Sequence, residues 1–563
     1  MKTSAGFIFS ALLLLCVPVG RADSLEDLAR DFWSWRAAEM PVTTDDIPRL
    51  ERPAGWVPDW SPAATARYRQ ELERYEARWK AQDPSSWPVA RQVDYRLMGS
   101  AIARVRWELQ VNRGWQRNPD FYLDQTLSAY VLLLLPPPPF DVPRSQQIVA
   151  TLRSFSPTLE AAKHNLTQPA APFAGLALQR LERVREQLSK SVAAVKPLLA
   201  PDSARDLDTA AAEAVAALES YGAWLAERLP GMPRETAVGR EAYVFFLKNV
   251  ALLPFTPEQL LEIGRLEWAR SVAWETYEQH RNGGLPPLPL LKDQQSQIAR
   301  EERDEAAIRQ FLEAKDLLTV PGWVGHYRFL PMPAYLAPFG GSAGEADDFT
   351  SPSRLKEDGT RYVDAPRPDA GYFFLTMLQD PRAITVHEGV PGHYFQLALA
   401  WANPDPIRRQ YYDSGANEGI GFYAEEMMLQ AGLFDDSPRT REIIANFARL
   451  RALRVEVDVK LALGEFTLDQ AADYLHRSVP MDAKTAHSEA SGFAAGPGQA
   501  ISYQIGKVQI IRMLADARRI QGASFSLRAF HDFIWLNGNV PLALQRWEYL
   551  GLRDDLDNAD RLR

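Results

Sequence analysis

Apolar residues recur at three- and four-residue spacing over 25–36, 63–82, 93–109, 174–199, 204–229, 256–280, 304–314 and 439–463. That period puts them on one face of an α-helix, so the chain reads as mainly α. Helix starts are marked by Asp202-Ser203 and by Thr256-Pro257-Glu258, the latter an N-cap, a first-turn proline and an acid. Alternating patterns are scarce. Residues 371–375, Gly-Tyr-Phe-Phe-Leu, form the one short strand candidate, an edge on which an extended peptide could lie. Prolines punctuate the rest. Leu135 and the four prolines after it predict a stiff extended connector, and 283–289 is a second such break. The longest irregular stretch is 331–370, rich in Gly, Pro and charge, and a loop of that length is more often functional than idle, here as a cover for a cleft. No internal repeat or clear linker divides the chain. It reads as one helical domain, with an N-terminal lobe over 23–235 and the remainder over 236–563.

The first 22 residues stand apart. Lys2, an apolar run from Phe7 to Val19 and the small residues around Ala22 read as a secretory leader cleaved after Ala22. Cys16 raises lipidation as an alternative, which the bulky Leu15 before it disfavours. Cys16 is the only cysteine, so the mature chain must stabilise itself without disulfides, and its 46% hydrophobic content permits a large core. No later segment is apolar over ~18 residues, so a soluble periplasmic or secreted protein is expected. A net charge of −9 argues against nucleic acid as a partner. The tripeptide Asn165-Leu166-Thr167 matches a glycosylation sequon that occurs often by chance and carries no weight.

Candidate chemistry sits at His387-Glu388-Gly-Val-Pro-Gly-His393, which holds two of the chain's eight histidines. It approaches the His-Glu-x-x-His pattern in which two imidazoles hold zinc and the glutamate works a water. The spacing is wrong for a regular helix. Six residues turn about 600°, which leaves the two rings roughly 120° apart, and Pro391 removes a backbone donor. The site therefore requires the backbone at Val390-Pro391-Gly392 to open and bring His393 beside His387. From spacing alone a second reading stands level with the first: a buried or capped His387, and a His393 that merely starts the next helix. Glu418 is the candidate third ligand. Glu418, Phe422 and Glu425 would share one helix face, with Gly419 and Gly421 permitting close approach and Glu425 placed to orient a histidine.

At these residues the chain resembles the bacterial "domain of unknown function 885" group, which is distantly similar to helical zinc peptidases such as thimet oligopeptidase, carboxypeptidase Taq and angiotensin-converting enzyme. The resemblance rests on His387-Glu388 through Pro391-Gly392-His393 and Gln396, on Glu418-Gly419 through Tyr423 to Glu425, and on Pro497-Gly498-Gln499-Ala500 through Tyr503 to Gly506. Looser echoes run from Gly239 to Tyr243 and from Thr256-Pro257 to Gly264. It implies a largely helical, two-lobed body around a deep cleft. It implies one zinc ion on His387, His393 and Glu418, with Glu388 as general base. Tyr503 would support an oxyanion, against the plainer alternative of a packing tyrosine. Gln499 would lie beside the ligands or substrate. Ile420 stands where relatives carry Trp, and Gly492-Phe493 where they often carry Arg-Tyr, which puts substrate choice in doubt. His487 could supply a replacement donor, though an ordinary surface histidine is the simpler reading.

The expected function is metal-assisted hydrolysis of amide bonds in small peptides or peptide-like substrates. Two alternatives remain open from sequence. One is a non-catalytic binder of peptides or cell-wall fragments, and the other is a zinc hydrolase of a non-peptide amide or ester.

Overall fold

Long helices form where the apolar stripes predict them. A computed structural model of the chain describes residues 24–39, 50–340, 346–347, 352–367 and 369–563. The expected leader, Cys16 included, lies outside these residues. Leu25–Glu39, Pro62–Lys80, Val89–Arg106 and Pro201–Arg228 are continuous helices. The last buries Leu207, Ala210, Ala214, Leu218, Tyr221 and Leu225, the stripe read from sequence. The stripe over 174–199 is instead cut into Ala171–Leu181 and Val184–Val195. Periodicity could not see this break, because buried Ala177 and buried Val184 lie seven residues apart and keep one phase across it. Asn165 is buried and donates to the Trp60 carbonyl, so the sequon does not present its amide to solvent.

The second half of the chain holds ten helices that build or back the candidate site: α1 (Pro257–Arg281), α2 (Gln294–Ala314), α3 (Tyr372–Gln379), α4 (Arg382–Glu388), α5 (His393–Trp401), α6 (Ser414–Gln430), α7 (Pro438–Leu463), α8 (Ala483–Ala495), α9 (Ser502–Gln521) and α10 (Leu527–Leu536). Thr256 and Gln259 cap α1 reciprocally. Gly264 of α1 lies so close to α7 that a Cβ there would be 3.0 Å from Val455. Helix α6 is buried along almost its whole length, which is why its apolar periodicity is faint.

Two expectations are corrected. Residues 371–375 are not a strand, since α3 starts at Tyr372. The aromatic run favours strand as an isolated segment, but packing decides otherwise. Tyr372 and Phe373 sit against Phe447 of α7, the Tyr372 hydroxyl donates to Asn446, and Asp482 accepts the Tyr372 N–H. No edge for a peptide exists there. The stretch 331–370 is not wholly irregular either. β1 (Tyr327–Pro331), β2 (Ala346–Asp347) and β3 (Gly359–Val363) form a small sheet in the order β1-β3-β2, with β1 and β3 parallel and β2 antiparallel to β3. Its pairing partners lie some thirty residues apart (Tyr327 opposite Gly359), which local pattern reading does not detect. The sheet backs α5: the Tyr327 ring stacks on Tyr394 at 5.2 Å, and a Cβ at Gly359 would strike the Tyr394 ring at 2.4 Å.

Candidate metal centre

His387 lies in the last turn of α4 and His393 opens α5. Between them the chain leaves helical geometry, as the six-residue spacing requires. The Gly389 and Val390 N–H groups both reach the Thr385 carbonyl, the second across five residues instead of four, and the Phe395 N–H reaches back to Gly389. Gly392 has no room for a side chain, since a Cβ would fall 1.7 Å from the His387 carbonyl oxygen. The Pro391 carbonyl, left without a helical partner, accepts 2.7 Å from the Trp535 indole of α10. The outcome is that the two imidazoles meet, their centroids 4.7 Å apart.

Helix α6 brings the carboxylate. Glu418 Oε2 lies 3.0 Å from His393 Nε2 and 3.4 Å from His387 Nε2. One donor atom from each of the three residues falls within 4.8 Å of the other two. Gly421 makes this approach possible, because a Cβ there would sit 3.1 Å from both rings. One turn further on, Glu425 Oε1 lies 2.7 Å from His387 Nδ1. That contact lets Nδ1 donate to Glu425 and turns Nε2 toward the cluster. Burial alone would lower the His387 pKa; hydrogen bonds to Glu418 and Glu425 override it and push it up to about 9. Glu418 is held well below the usual carboxylate range. Burial opposes that shift, and the neighbouring His393 and His387 overcome it. All three residues are nearly sealed, at 2% (His387), 8% (His393) and 9% (Glu418) exposure.

Helix α7 supports the cluster through three buried ionic residues at i, i+3 and i+7. Arg451 donates 3.3 Å to Glu425 Oε1 and lies over the Phe447 ring. Arg454 pairs with Glu489 of α8 at 2.6 Å and faces the Tyr503 ring at 4.7 Å. Asp458 accepts from the Gly498 and Ala500 N–H groups. Tyr503 lies nearly parallel to the His387 imidazole at 6.0 Å, and burial with the neighbouring Glu418 raises its phenol well above the ordinary value. Gln499 Nε2 donates 3.4 Å to Glu418 Oε1, the oxygen turned away from the histidines.

The structure therefore brings together His387, His393, Glu418, Glu425, Gln499 and Tyr503. Glu388 follows His387 directly, half-buried, and its side chain makes no hydrogen bond to a described residue. His487 is not drawn in: it is half-buried on α8, its backbone carbonyl accepts from Ser491, and its imidazole contacts no ligand residue. Ile420 is fully buried. Gly492 faces open space. Sequence reading missed Arg451, Arg454, Asp458 and Trp535. For the three charged residues the only available signal was charge at helical spacing inside an apolar stretch, which looks the same on a solvated face, and Trp535 reads as an ordinary core aromatic.

Fold and site together define a mainly helical protein with a buried His₂Glu cluster able to hold a metal ion. Residues 49–547 match the family described as bacterial protein of unknown function, DUF885, and the chain belongs to it. No curated protein gives a significant match. Two solved structures share the fold. One is a candidate lipoprotein of unknown function from Shewanella oneidensis, at 16% identity and TM-score 0.69, covering 94% of this chain and 100% of that one. The other is a candidate lipoprotein from Colwellia psychrerythraea, at 17% identity and TM-score 0.73, covering 95% and 98%. Among the described residues no helix is long and apolar enough to cross a membrane.

Proposed function

We propose that this protein is an exported zinc-dependent hydrolase that cleaves amide bonds in small peptides or peptide-like substrates. The observation that carries this reading is the donor spacing. Atoms bound to a tetrahedral zinc at about 2.0–2.1 Å are separated from one another by roughly 3.3 Å. The Nε2–Oε2 separations of 3.4 Å and 3.0 Å lie close to that value. Two imidazole nitrogens and one carboxylate also make a donor set that catalytic zinc sites use.

Zinc, when bound, would supply Lewis acidity toward a substrate carbonyl and a water. Glu388 takes a proton from the attacking water on its carboxylate and returns it to the leaving nitrogen. Its lack of a hydrogen-bond partner among the described residues leaves both oxygens available for this. Tyr503, kept protonated by its raised pKa, donates its hydroxyl proton toward the carbonyl oxygen as charge develops there. Gln499 and Glu425 hold Glu418 and His387 in orientation. Export is supported by the leader-like first 22 residues and by the description of two structural neighbours as candidate lipoproteins.

The test is metal analysis of the purified protein, followed by digestion of a peptide library read by mass spectrometry. One zinc per chain and discrete cleavages are expected, with Glu388→Gln retaining zinc and losing turnover. A protein that cannot take up zinc ends the reading, and undiminished turnover in Glu388→Gln removes Glu388 as the base. The near-complete burial of the ligands favours a second reading, a closed structural metal in a non-catalytic peptide binder. Stoichiometric zinc with no cleavage of peptides or of non-peptide amide and ester probes would select it.

A further inference from the structure

The echo at 239–243 has no place in the chemistry above, yet it contacts the site's scaffold at both ends. The Gly239 N–H donates to the Ala462 carbonyl at 2.9 Å near the end of α7. The Tyr243 hydroxyl, fully buried, donates 2.8 Å to Asp458 Oδ1. Asp458 is itself fully buried, and its carboxylate accepts from Tyr243, from the Gly498 N–H at 2.9 and 3.1 Å and from the Ala500 N–H at 2.8 Å. These backbone donors flank Gln499 on both sides. Phe246, one turn beyond Tyr243, presses on the same loop, so that a Cβ at Gly498 would lie 2.1 Å from its ring. Gly498 also adopts φ +96°, a conformation that only glycine holds without strain. Gln499 then reaches Glu418, and Tyr503 lies in the first turn of α9, three residues after Ala500.

We propose that Tyr243 and Asp458 are positioning residues, a latch between the 239–250 segment and α7 that fixes the Pro497–Ala500 loop so that Gln499 holds Glu418 for metal binding. Neither touches a ligand. A hydrogen bond to a buried carboxylate is among the stronger ones in a protein, and removing one donor loosens the anion and whatever else it grips. The inference rests on the metal-centre reading of His387, His393 and Glu418 and is independent of whether the chain hydrolyses peptides.

The experiment is a double-mutant cycle on zinc affinity, measured by chelator competition with the full-length protein at pH 8. That is above the value of about 7 to which burial pushes Asp458. Tyr243→Phe should weaken zinc roughly tenfold in the wild-type background, in the range seen for groups that orient a ligand, and have no further effect in Gln499→Ala. A residue that only stabilises the fold would lower the melting temperature and leave affinity unchanged or add independently to Gln499→Ala, and either result overturns the proposal. Asp458→Asn should act in the same direction and more strongly. If it fails to fold, Tyr243→Phe alone carries the test. Amide hydrogen exchange of residues 498–501 without metal gives a second readout. Exchange accelerated in Tyr243→Phe and confined to this segment is expected, and unchanged exchange overturns the latch. A wild-type protein that binds no zinc would defeat the proposed function, while this exchange measurement would still decide the latch.

Discussion

Glu425 touches no substrate in the proposed reaction, yet it fixes which nitrogen of His387 faces the cluster. It is fully buried and shared between His387 and Arg451. Glu425→Gln keeps the shape and removes the charge, so the imidazole exchanges a carboxylate partner for a weaker amide acceptor that can also turn its NH₂ toward the ring. Zinc affinity should fall between about tenfold and a hundredfold with the fold intact, as read by competition with a chelator. Gly421→Ala tests the opposite face of the rings. A methyl group 3.1 Å from both imidazoles must push them by a few tenths of an ångström, so zinc affinity should weaken while far-ultraviolet circular dichroism stays unchanged. At this scale much was legible. His387, Glu388, His393, Glu418 and Glu425 lie in two short motifs whose spacing carries chemical meaning. Arg451, Arg454 and Asp458 were not legible, because a charged residue on a helix reads as solvated until its neighbours are known.

Among the elements, the interrupted helix at 388–393 and the crossing of α6 with α9 decide whether the site exists. Trp535 of α10 supplies the donor for the Pro391 carbonyl inside the interruption. Trp535→Phe leaves that buried acceptor unpaired at a cost of about 1–3 kcal/mol. Thermal unfolding should shift down and zinc affinity should weaken with it. The crossing is tighter still: a Cβ on Gly506 would fall 2.2 Å from the Gly415 carbonyl oxygen and 2.6 Å from the Gly419 Cα. Gly506→Ala must push α9 off α6, and a destabilisation of roughly 1–3 kcal/mol or more is expected in denaturant unfolding. Helices with apolar stripes were legible to within a few residues, apart from the break between Leu181 and Val184. The start of α2 was not, since its first half buries Gln297, Glu301, Asp304 and Glu305 in place of apolar side chains. The helix α3 was misread because contacts with Phe447 and Asn446, more than seventy residues away, outweigh the strand preference of its aromatics.

For the molecule as a whole, α2 carries a pH dependence. Burial pushes Glu301 up to about 7 from the ordinary 4.5, partly offset by Arg361 and Gln297. A carboxyl whose folded pKa exceeds its unfolded one favours folding at low pH, and that contribution is lost as pH rises from about 4.5 through about 7. Glu301→Gln should therefore gain stability relative to wild type across that window, by roughly 3 kcal/mol at its upper end, as read from denaturant midpoints at pH 5 and pH 8. The order of the chain adds a further consequence. His387, His393 and Glu418 fall within a short run of sequence, whereas Gln499 comes 81 residues after Glu418, and Tyr503 and Trp535 follow it. Contacts close in sequence form sooner than distant ones. A chain emerging from its N-terminus thus completes the donor set of the proposed metal centre before Gln499, Tyr503 and Trp535 have been made, so those three must close over three side chains already in place.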